Sequence, residues 1–146
     1  MMDKKIALAA DHAGYELKEC IKHYLADRGF EVIDFGTNSA ESVDYPDFAH
    51  KLGDAIDKDE VLRGIAICGT GNGISMALNK HQKVRCALSW NKEIAALGRQ
   101  HNNANVVALP ARFISEEEAK QVVQTFLDTP FEGGRHERRV NKIACW

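Results

Sequence analysis

The sequence contains no apolar run long enough to cross a bilayer, and its amino terminus, MMDKK, leads directly into a short strand-like segment without a cleavable signal. We therefore expect a soluble cytoplasmic protein with no membrane attachment. The chain also lacks an excess of basic residues, since 19 Lys and Arg stand against 21 Asp and Glu. Nucleic acid is consequently not an expected partner, because its binding favours a net positive surface.

Cysteine pairs of the metal-binding type are missing as well. The four cysteines contain no CxxC pair and lie in apolar contexts: Cys20, Cys68, Cys86 and Cys145. Neither a zinc cage nor a disulfide framework is predicted, and the thiols are expected to be reduced. The chain has no internal repeat, and 146 residues are the size of one domain, so we predict a single domain over residues 1–146.

Short apolar segments alternate with amphipathic helical segments along the chain. Five segments have the character of buried strands: 4–12, 30–36, 64–68, 84–89 and 105–109. Between these segments, apolar residues recur at the spacing of an amphipathic helix. Ser115 and Glu118 form a capping-box signature at the start of the last long helix, and Pro130 ends that helix. This alternation predicts an α/β fold, a Rossmann-like three-layer sandwich with a five-stranded, mostly parallel sheet.

The C-terminal segment FEGGRHERRVNKIACW differs from the rest of the chain. A Gly-Gly hinge precedes a cluster of cations, and Val140 and Ile143 are candidate apolar anchors. We predict a C-terminal helical tail that docks on another surface. Arg135 and Arg139 are four residues apart, so both would lie on one helix face, which suits either a bound phosphate or an ordinary solvated charged face.

Several chemically active residues are expected at one edge of the sheet. Ligands of open parallel sheets bind beyond the carboxyl ends of the strands. Asp11 and His12 end the first predicted strand, Cys68 ends the third, and the polar segment with His101 and Asn102 leads into the fifth. We therefore expect these groups to converge on one rim. The other histidines considered are expected to be solvated: His23, His50 and His81.

The stretch ICGTGNGIS, residues 67–75, has three glycines spaced two apart after the third strand. It lacks the lysine of a P-loop and the GxGxxG spacing of a dinucleotide fingerprint. Glycines still allow close backbone approach, and amides at a helix start favour a phosphate or a developing oxyanion. Cys68 is then either a base or nucleophile favoured by those amides, or a small buried apolar residue that closes a strand.

Five motifs in order resemble those of the type B ribose-5-phosphate isomerase family. They are DHAG at 11–14, DYP at 44–46, ICGTGNGIS at 67–75, RQHN at 99–102 and EGGRHERRV at 132–140. The resemblance spans almost the whole chain and implies an aldose–ketose isomerisation through an enediolate, without a metal or an organic cofactor. It implies ribulose 5-phosphate and ribose 5-phosphate as substrates, with allose 6-phosphate or galactose 6-phosphate as alternatives.

The resemblance also implies residue roles. Cys68 matches the base that moves a proton between C1 and C2, and His101 matches the acid that helps to open the furanose ring, with Asp11 nearby. Thr70 matches a hydroxyl that assists at the enediolate oxygens. The implied substrate-binding set is Asp11, His12, Tyr45, Gly69, Thr70, Gly71, Asn72, Gly73, Asn102, Arg112, Arg135 and Arg139. Within this set, His12 and the three arginines match phosphate ligands.

Family members are dimers with sites between subunits, so the resemblance implies a homodimer or tetramer whose cationic tail serves a partner's site. A function from another class is also compatible with the scaffold. A non-catalytic phosphate- or nucleotide-binding module would use the glycine loop only as a cradle. That alternative leaves Cys68, His101 and the terminal arginines unrelated to one another.

Overall fold

One parallel sheet forms the centre of the molecule in the computed structural model, which describes residues 4–145. Its strands are β1 (Lys5–Ala10), β2 (Glu31–Asp34), β3 (Gly64–Cys68), β4 (Cys86–Leu88) and β5 (Val106–Pro110). They lie in the order β2-β1-β3-β5-β4, and all four neighbouring pairs are parallel. The predicted five-stranded α/β fold is confirmed.

Six α-helices and a short 3₁₀ helix at Ala111–Phe113 are present in the described part of the chain. The α-helices are α1 (Tyr15–Asp27), α2 (Tyr45–Asp57), α3 (Asn72–Leu78), α4 (Lys92–Asn102), α5 (Glu116–Asp128) and α6 (Arg135–Val140). The capping box that begins α5 is confirmed, since the Glu118 amide donates to Ser115 Oγ and the Ser115 amide donates to the Glu118 carboxylate. The predicted tail helix is α6. No helix within residues 4–145 has the length and apolar character needed to span a membrane.

The helices cover both faces of the sheet because alternate strand residues point to opposite faces. Ile6 and Leu8 belong to the core that α1, α4 and α5 cover, whereas Ala7 and Ala9 belong to the core beneath α2 and α3. Three layers result, as predicted. The second and fourth strands are shorter than the sequence suggested. After β2, for example, the Gly36 amide donates to the Asp34 side chain, while the Gly36 carbonyl still accepts from the Ala10 amide.

The parallel strands give the sheet two chemically different edges, which we call the carboxyl edge and the amino edge after the strand ends found there. Helix α4 joins the carboxyl end of β4 to the amino end of β5, and its eleven residues make it about 16 Å long. At the amino edge, the Asn105 amide donates to the Arg85 carbonyl. Residues that end α4 therefore lie where the strands begin.

A buried lysine connects α1 to the end of β2. The Lys18 side chain is fully buried, and its Nζ donates to Asp34 Oδ2 at 2.6 Å and to Glu19 Oε2 at 2.7 Å. Lys22 Nζ donates to the same Asp34 oxygen at 3.0 Å. Burial alone would raise the pKa of Asp34, but hydrogen bonds from Lys18, the Gly36 amide and Lys22 together lower it below its usual range.

Replacing Asp34 with Asn is expected to destabilise the fold by about 3 kcal/mol at neutral pH, because a buried ammonium loses a charged partner. Because the folded pKa of Asp34 is lowered, its stabilisation is present above its unfolded pKa of about 4 and is lost as the pH falls through the folded value. Urea unfolding at a series of pH values should therefore show that the difference in unfolding free energy between the wild type and Asp34→Asn becomes smaller as the pH falls. Asp128→Asn, at an exposed ion pair with Arg28, is the control and should have little effect. A difference that stays constant into acid pH contradicts this account.

Candidate functional site

The chain changes direction across the sheet between β1 and β3, and two of the expected site residues flank that position. Asp11 follows β1 and Cys68 ends β3, and the Asp11 amide donates to the Ile67 carbonyl at 3.2 Å. Both residues are buried in the isolated chain, with 7 % and 5 % exposure. Crevices at such a switch point are the usual ligand sites of open parallel sheets. The structure therefore brings the acid and the thiol to the carboxyl edge, as expected.

The turn after β1 holds the Asp11 carboxylate in place. Asp11 Oδ1 accepts a hydrogen bond from the Gly14 amide at 3.1 Å. A Cβ at Gly14 would lie 2.5 Å from the Ile67 carbonyl oxygen, so only glycine lets α1 begin this close to β3. This close approach keeps the Asp11 carboxylate at the carboxyl ends of β1 and β3.

The glycine loop turns back over the end of β3. Gly71 has a φ of +78°, a conformation that L side chains rarely adopt, and α3 begins at the next residue. The Asn72 amide donates to Thr70 Oγ1 at 3.2 Å, while the Thr70 and Asn72 side chains are exposed. This geometry presents the loop and the Thr70 hydroxyl to any ligand that lies beyond Cys68.

Two larger side chains pack directly against the loop. The Tyr45 ring lies so close to Gly73 that a Cβ there would be 2.6 Å from the ring. Arg112 donates its amide to the Gly69 carbonyl at 3.0 Å, and its guanidinium lies against Gly69, where a Cβ would be 3.1 Å from Nη1. A phenol and a cation therefore border the loop, which places both predicted residues at the carboxyl edge.

His12 lies at the same edge with its ring half-buried. Its Nδ1 accepts a hydrogen bond from the Val43 amide at 3.1 Å. The neutral ring must therefore carry its proton on Nε2, since an acceptor nitrogen has no hydrogen. Nε2–H is then a donor that suits an anionic group of a ligand.

His101 and Asn102 do not join these residues. Both lie in the last turn of α4, at the amino edge, about 16 Å along the helix from its start. The expectation that all the groups converge on one rim is wrong within one chain. The reason is that α4 runs against the strands, so the residues just before β5 lie where the strands begin.

The C-terminal tail docks against this end of α4. The imidazole rings of His101 and His136 stack at 4.3 Å between centroids with an angle of 15° between their planes. The Glu132 amide also donates to the Gln100 carbonyl at 3.1 Å. Helix α6 therefore brings its exposed arginines, Arg135 and Arg139, to the same edge as His101.

Sequence reasoning missed His136, which stood among the cations of the tail without an assigned role. Partial burial lowers the pKa of His136, and electrostatic interactions with His101 and Arg135 lower it further. The lowered pKa favours the neutral His136 ring at neutral pH, and a neutral ring stacks on another imidazole without charge repulsion. The only sequence signal was its place between Arg135 and Arg139 on one short helix.

Two cysteines, Cys68 and Cys86, lie in or against the core beneath α2 and α3, and their environments differ. Burial raises the pKa of Cys86 to about 12, with a hydrogen bond from Ser75 opposing the shift and the nearby Cys68 adding to it. A thiol with this pKa stays protonated at neutral pH and is a poor base. Cys68 lies instead at the strand end, beside Asp11 and the glycine loop.

The two groups of residues have different chemical capacities. The carboxyl-edge set, which comprises Asp11, His12, Tyr45, Cys68, the loop from Gly69 to Gly73 and Arg112, combines a thiol with backbone amides. It suits proton transfer at a carbon atom next to an oxygen that becomes negative. The amino-edge set, which comprises His101, Asn102, Arg135, His136 and Arg139, suits an anion and a proton donor.

Comparison with known proteins gives consistent matches over nearly the whole length. Residues 6–143 match the model of the Ribose/Galactose Isomerase family. The chain is 46 % identical to ribose-5-phosphate isomerase B of Escherichia coli over 142 residues, covering 97 % of this chain and 95 % of that protein. A crystal structure of the Thermotoga maritima ribose 5-phosphate isomerase is 54 % identical, with a TM-score of 0.94 and coverage of 96 % of this chain and 97 % of that one.

A further similar structure contains a ligand. It is ribose-5-phosphate isomerase B from Mycoplasma genitalium with bound ribulose 5-phosphate. That chain is 45 % identical, has a TM-score of 0.92, and the match covers 95 % of this chain and 93 % of that one. The fold of this chain is therefore similar to that of a relative with a bound sugar phosphate.

Alanine at Gly71 is expected to destabilise the fold more than alanine at Gly29. Both glycines have a positive φ, +78° and +87°, which costs an L residue roughly 1–2 kcal/mol. A Cβ at Gly29 meets nothing within 4 Å, whereas one at Gly71 overlaps Leu88 Cδ1. Urea unfolding should therefore give a further loss of about 1 kcal/mol for Gly71→Ala. Equal losses for the two variants would mean that Leu88 moves aside without cost.

Proposed function

The chain belongs to the ribose/galactose isomerase family, and on this basis we propose that it interconverts ribulose 5-phosphate and ribose 5-phosphate through an enediolate. The observation that carries the proposal is the buried Cys68 thiol, which lies between Asp11 and the glycine loop at the switch point of the sheet. Residues 1–146 act as one catalytic domain.

Cys68 is the proposed base of the carbon-to-carbon proton transfer. Its thiolate removes the proton from C2 of the open-chain aldose. The electron pair of the C2–H bond becomes the C1=C2 bond of the enediolate, and the π pair of the C1 carbonyl moves onto its oxygen. The same proton returns to C1 when the ketose forms, so the thiolate is regenerated. Since the base must be a reduced thiol, we infer a reducing, cytoplasmic location for the enzyme.

The glycine loop is the proposed site for the oxygen that becomes negative. Backbone amides from Gly69 to Gly73 stabilise that charge without reorganising during the reaction. Thr70 already accepts a hydrogen bond from the Asn72 amide, so its own O–H proton is available to the substrate oxygens. This hydroxyl assists proton exchange between O1 and O2, and Asp11 lies beside the same atoms.

Ring opening and phosphate binding involve both edges of the sheet. His101 is the proposed acid that protonates the ring oxygen of the cyclic aldose, and Asn102 is a substrate-binding amide. His12 and Arg112 are proposed phosphate ligands at the carboxyl edge, and Arg135 and Arg139 at the amino edge. One pentose phosphate is too short to reach along the whole of α4, so these two sets must come from different copies of the chain.

We therefore propose a homodimer in which each site combines the carboxyl-edge set of one protomer with the amino-edge set of its partner. Exposed apolar groups support an interface beside the glycine loop. Trp90 and Phe113 are 53 % and 73 % exposed, and together with Thr70 and Asn72 they line a cavity of about 320 Å³. Large exposed apolar groups around a cavity are typical of surfaces that another protein covers. A dimer is the smallest assembly that unites the two sets.

A panel of sugar phosphates tests the assigned substrate. Initial rates should be highest with ribose 5-phosphate and ribulose 5-phosphate, and much lower with allose 6-phosphate and galactose 6-phosphate. Turnover of a hexose phosphate alone would move the assignment to that sugar. No turnover of any of the four would contradict the isomerase activity itself.

Mixing two inactive variants tests the shared site. Cys68→Ala and His101→Ala should each lower kcat by about 10²- to 10⁴-fold, because each removes a proton-transfer group. After unfolding and refolding of an equal mixture, half of the dimers carry one variant of each kind. In these dimers one site receives both substitutions and the other receives neither, so about a quarter of the wild-type activity should return.

Each variant refolded alone is the control for this experiment and should remain inactive. Cys145→Ser, at an exposed thiol outside the proposed site, should keep wild-type activity and provides the matched thiol control. If Cys68 and His101 act within the same site of one chain, every site in the mixture carries a substitution. If no activity returns after mixing, the shared site is contradicted. The substrate assignment is not affected by that result, because the sugar-phosphate panel tests it separately.

A further inference from the structure

A second group of histidine and aspartate side chains lies between α2 and the segment that follows α3, outside the residues proposed for the isomerase. His81 Nδ1 is 3.0 Å from Asp57 Oδ2 and 3.6 Å from Asp54 Oδ1. One nitrogen and two carboxylate oxygens of these residues all lie within 4.8 Å of one another. We call this group the α2 cluster.

The spacing of these atoms suits a tetrahedral metal ion. Zinc binds histidine nitrogen and carboxylate oxygen at about 2.1 Å, which puts tetrahedral ligand atoms about 3.4 Å apart. The distances of 3.0 and 3.6 Å from His81 Nδ1 lie on either side of that value. The two carboxylate oxygens lie within 4.8 Å of each other, so side-chain movements alone can bring the three atoms around one ion.

Hydrogen bonds from outside the cluster orient two of the three ligand groups. His81 Nε2 is 2.7 Å from His50 Nδ1, on the side of the ring opposite the carboxylates. Asp57 Oδ1 accepts the Lys83 amide at 2.9 Å, which leaves Oδ2 directed at His81. Metal-binding histidines almost always donate their second N–H to such a partner, and ligand carboxylates are similarly held.

Gly53 makes room for the imidazole in the middle of α2. A Cβ at this position would lie 2.6 Å from both Cγ and Nε2 of His81, so the ring packs directly on the helix backbone. A glycine inside a helix costs about 1 kcal/mol relative to alanine, and this contact accounts for it. The expectation that His81 is solvated is wrong, since its side chain is only 11 % exposed, whereas His50 and His23 are exposed as expected.

We propose that the α2 cluster binds a divalent transition cation of the zinc type. The ligands are His81 Nδ1, Asp57 Oδ2 and Asp54 Oδ1, and water completes the tetrahedron. The two carboxylates balance the charge of the ion. His81 keeps its proton on Nε2 and donates it to His50 Nδ1, so His50 is a positioning residue. The Asp54 side chain is 62 % exposed, which gives the ion a path from solvent. The site ties α2 to the connection between α3 and β4, and it does not depend on the isomerase reaction.

Zinc titration with two readouts tests this site. Calorimetry gives the affinity and the number of ions, and ¹⁵N spectra of the imidazoles identify the bound nitrogen. The other His/Glu group in residues 4–145 (His101, Glu132 and His136) and the exposed Cys145 thiol can also bind zinc. The titration therefore uses a His136→Gln, Cys145→Ser background. We expect one ion per chain, a metal shift at His81 Nδ1 and a retained proton at His81 Nε2.

Single substitutions in that background separate the ligands from the surrounding charge. Asp57→Asn and Asp54→Asn should each weaken zinc binding by more than tenfold, and His50→Leu by about tenfold. Asp59→Asn is the matched control, because Asp59 is a nearby exposed carboxylate paired with Lys83 and is not a ligand. It should leave the affinity unchanged. Zinc should also raise the Tm of the background protein but not that of Asp54→Asn.

Two results would overturn the proposal. One is equal zinc affinity for the Asp54→Asn and Asp59→Asn variants, which would assign any binding to general surface charge. The other is an unshifted His81 Nδ1 resonance in the presence of saturating zinc. Asp54 is exposed, so its substitution leaves the fold intact and keeps the test decisive even if Asp57→Asn unfolds.

Discussion

The common direction of the five strands constrains the position of every functional group in this chain. Each connection must return the chain from the carboxyl edge to the amino edge, so residues that follow strands and residues that precede them lie at opposite edges. Asp11 and Cys68 follow neighbouring strands and meet. His101 ends a return helix and cannot reach them within its own chain. The proposed dimer is a direct consequence of this topology.

Close backbone packing then gives the carboxyl edge its chemistry. Gly14 lets α1 begin against β3 and keeps Asp11 buried, while Gly69 and Gly73 make room for a guanidinium and a phenol beside the loop. Glycine has the same purpose at Gly53, where the missing side chain admits an imidazole into the surface of a helix. In each case the absent Cβ allows a functional group to pack closely against the backbone.

Much of the fold was predictable because its signals are local. Alternating apolar segments gave five strands and the long helices, and the pair Ser115 and Glu118 identified the start of α5. Strand ends were less predictable, because a residue such as Gly36 can bond to a side chain through its amide and to the neighbouring strand through its carbonyl. His81 was misjudged for a similar reason: its burial depends on a glycine 28 residues earlier in the chain, and no local pattern reports such a contact.

The amino-acid sequence by itself determined the fold class, the chemical groups and, through five ordered motifs, the resemblance to one family. Those properties depend on residue type and short spacing, which can be observed without coordinates. Only the tertiary structure decided which groups meet. It separated Cys68 from His101, stacked His136 on His101 and placed His81 against two carboxylates. Such distances depend on the direction of each crossover and on packing between distant segments, and neither is encoded in any single stretch of sequence.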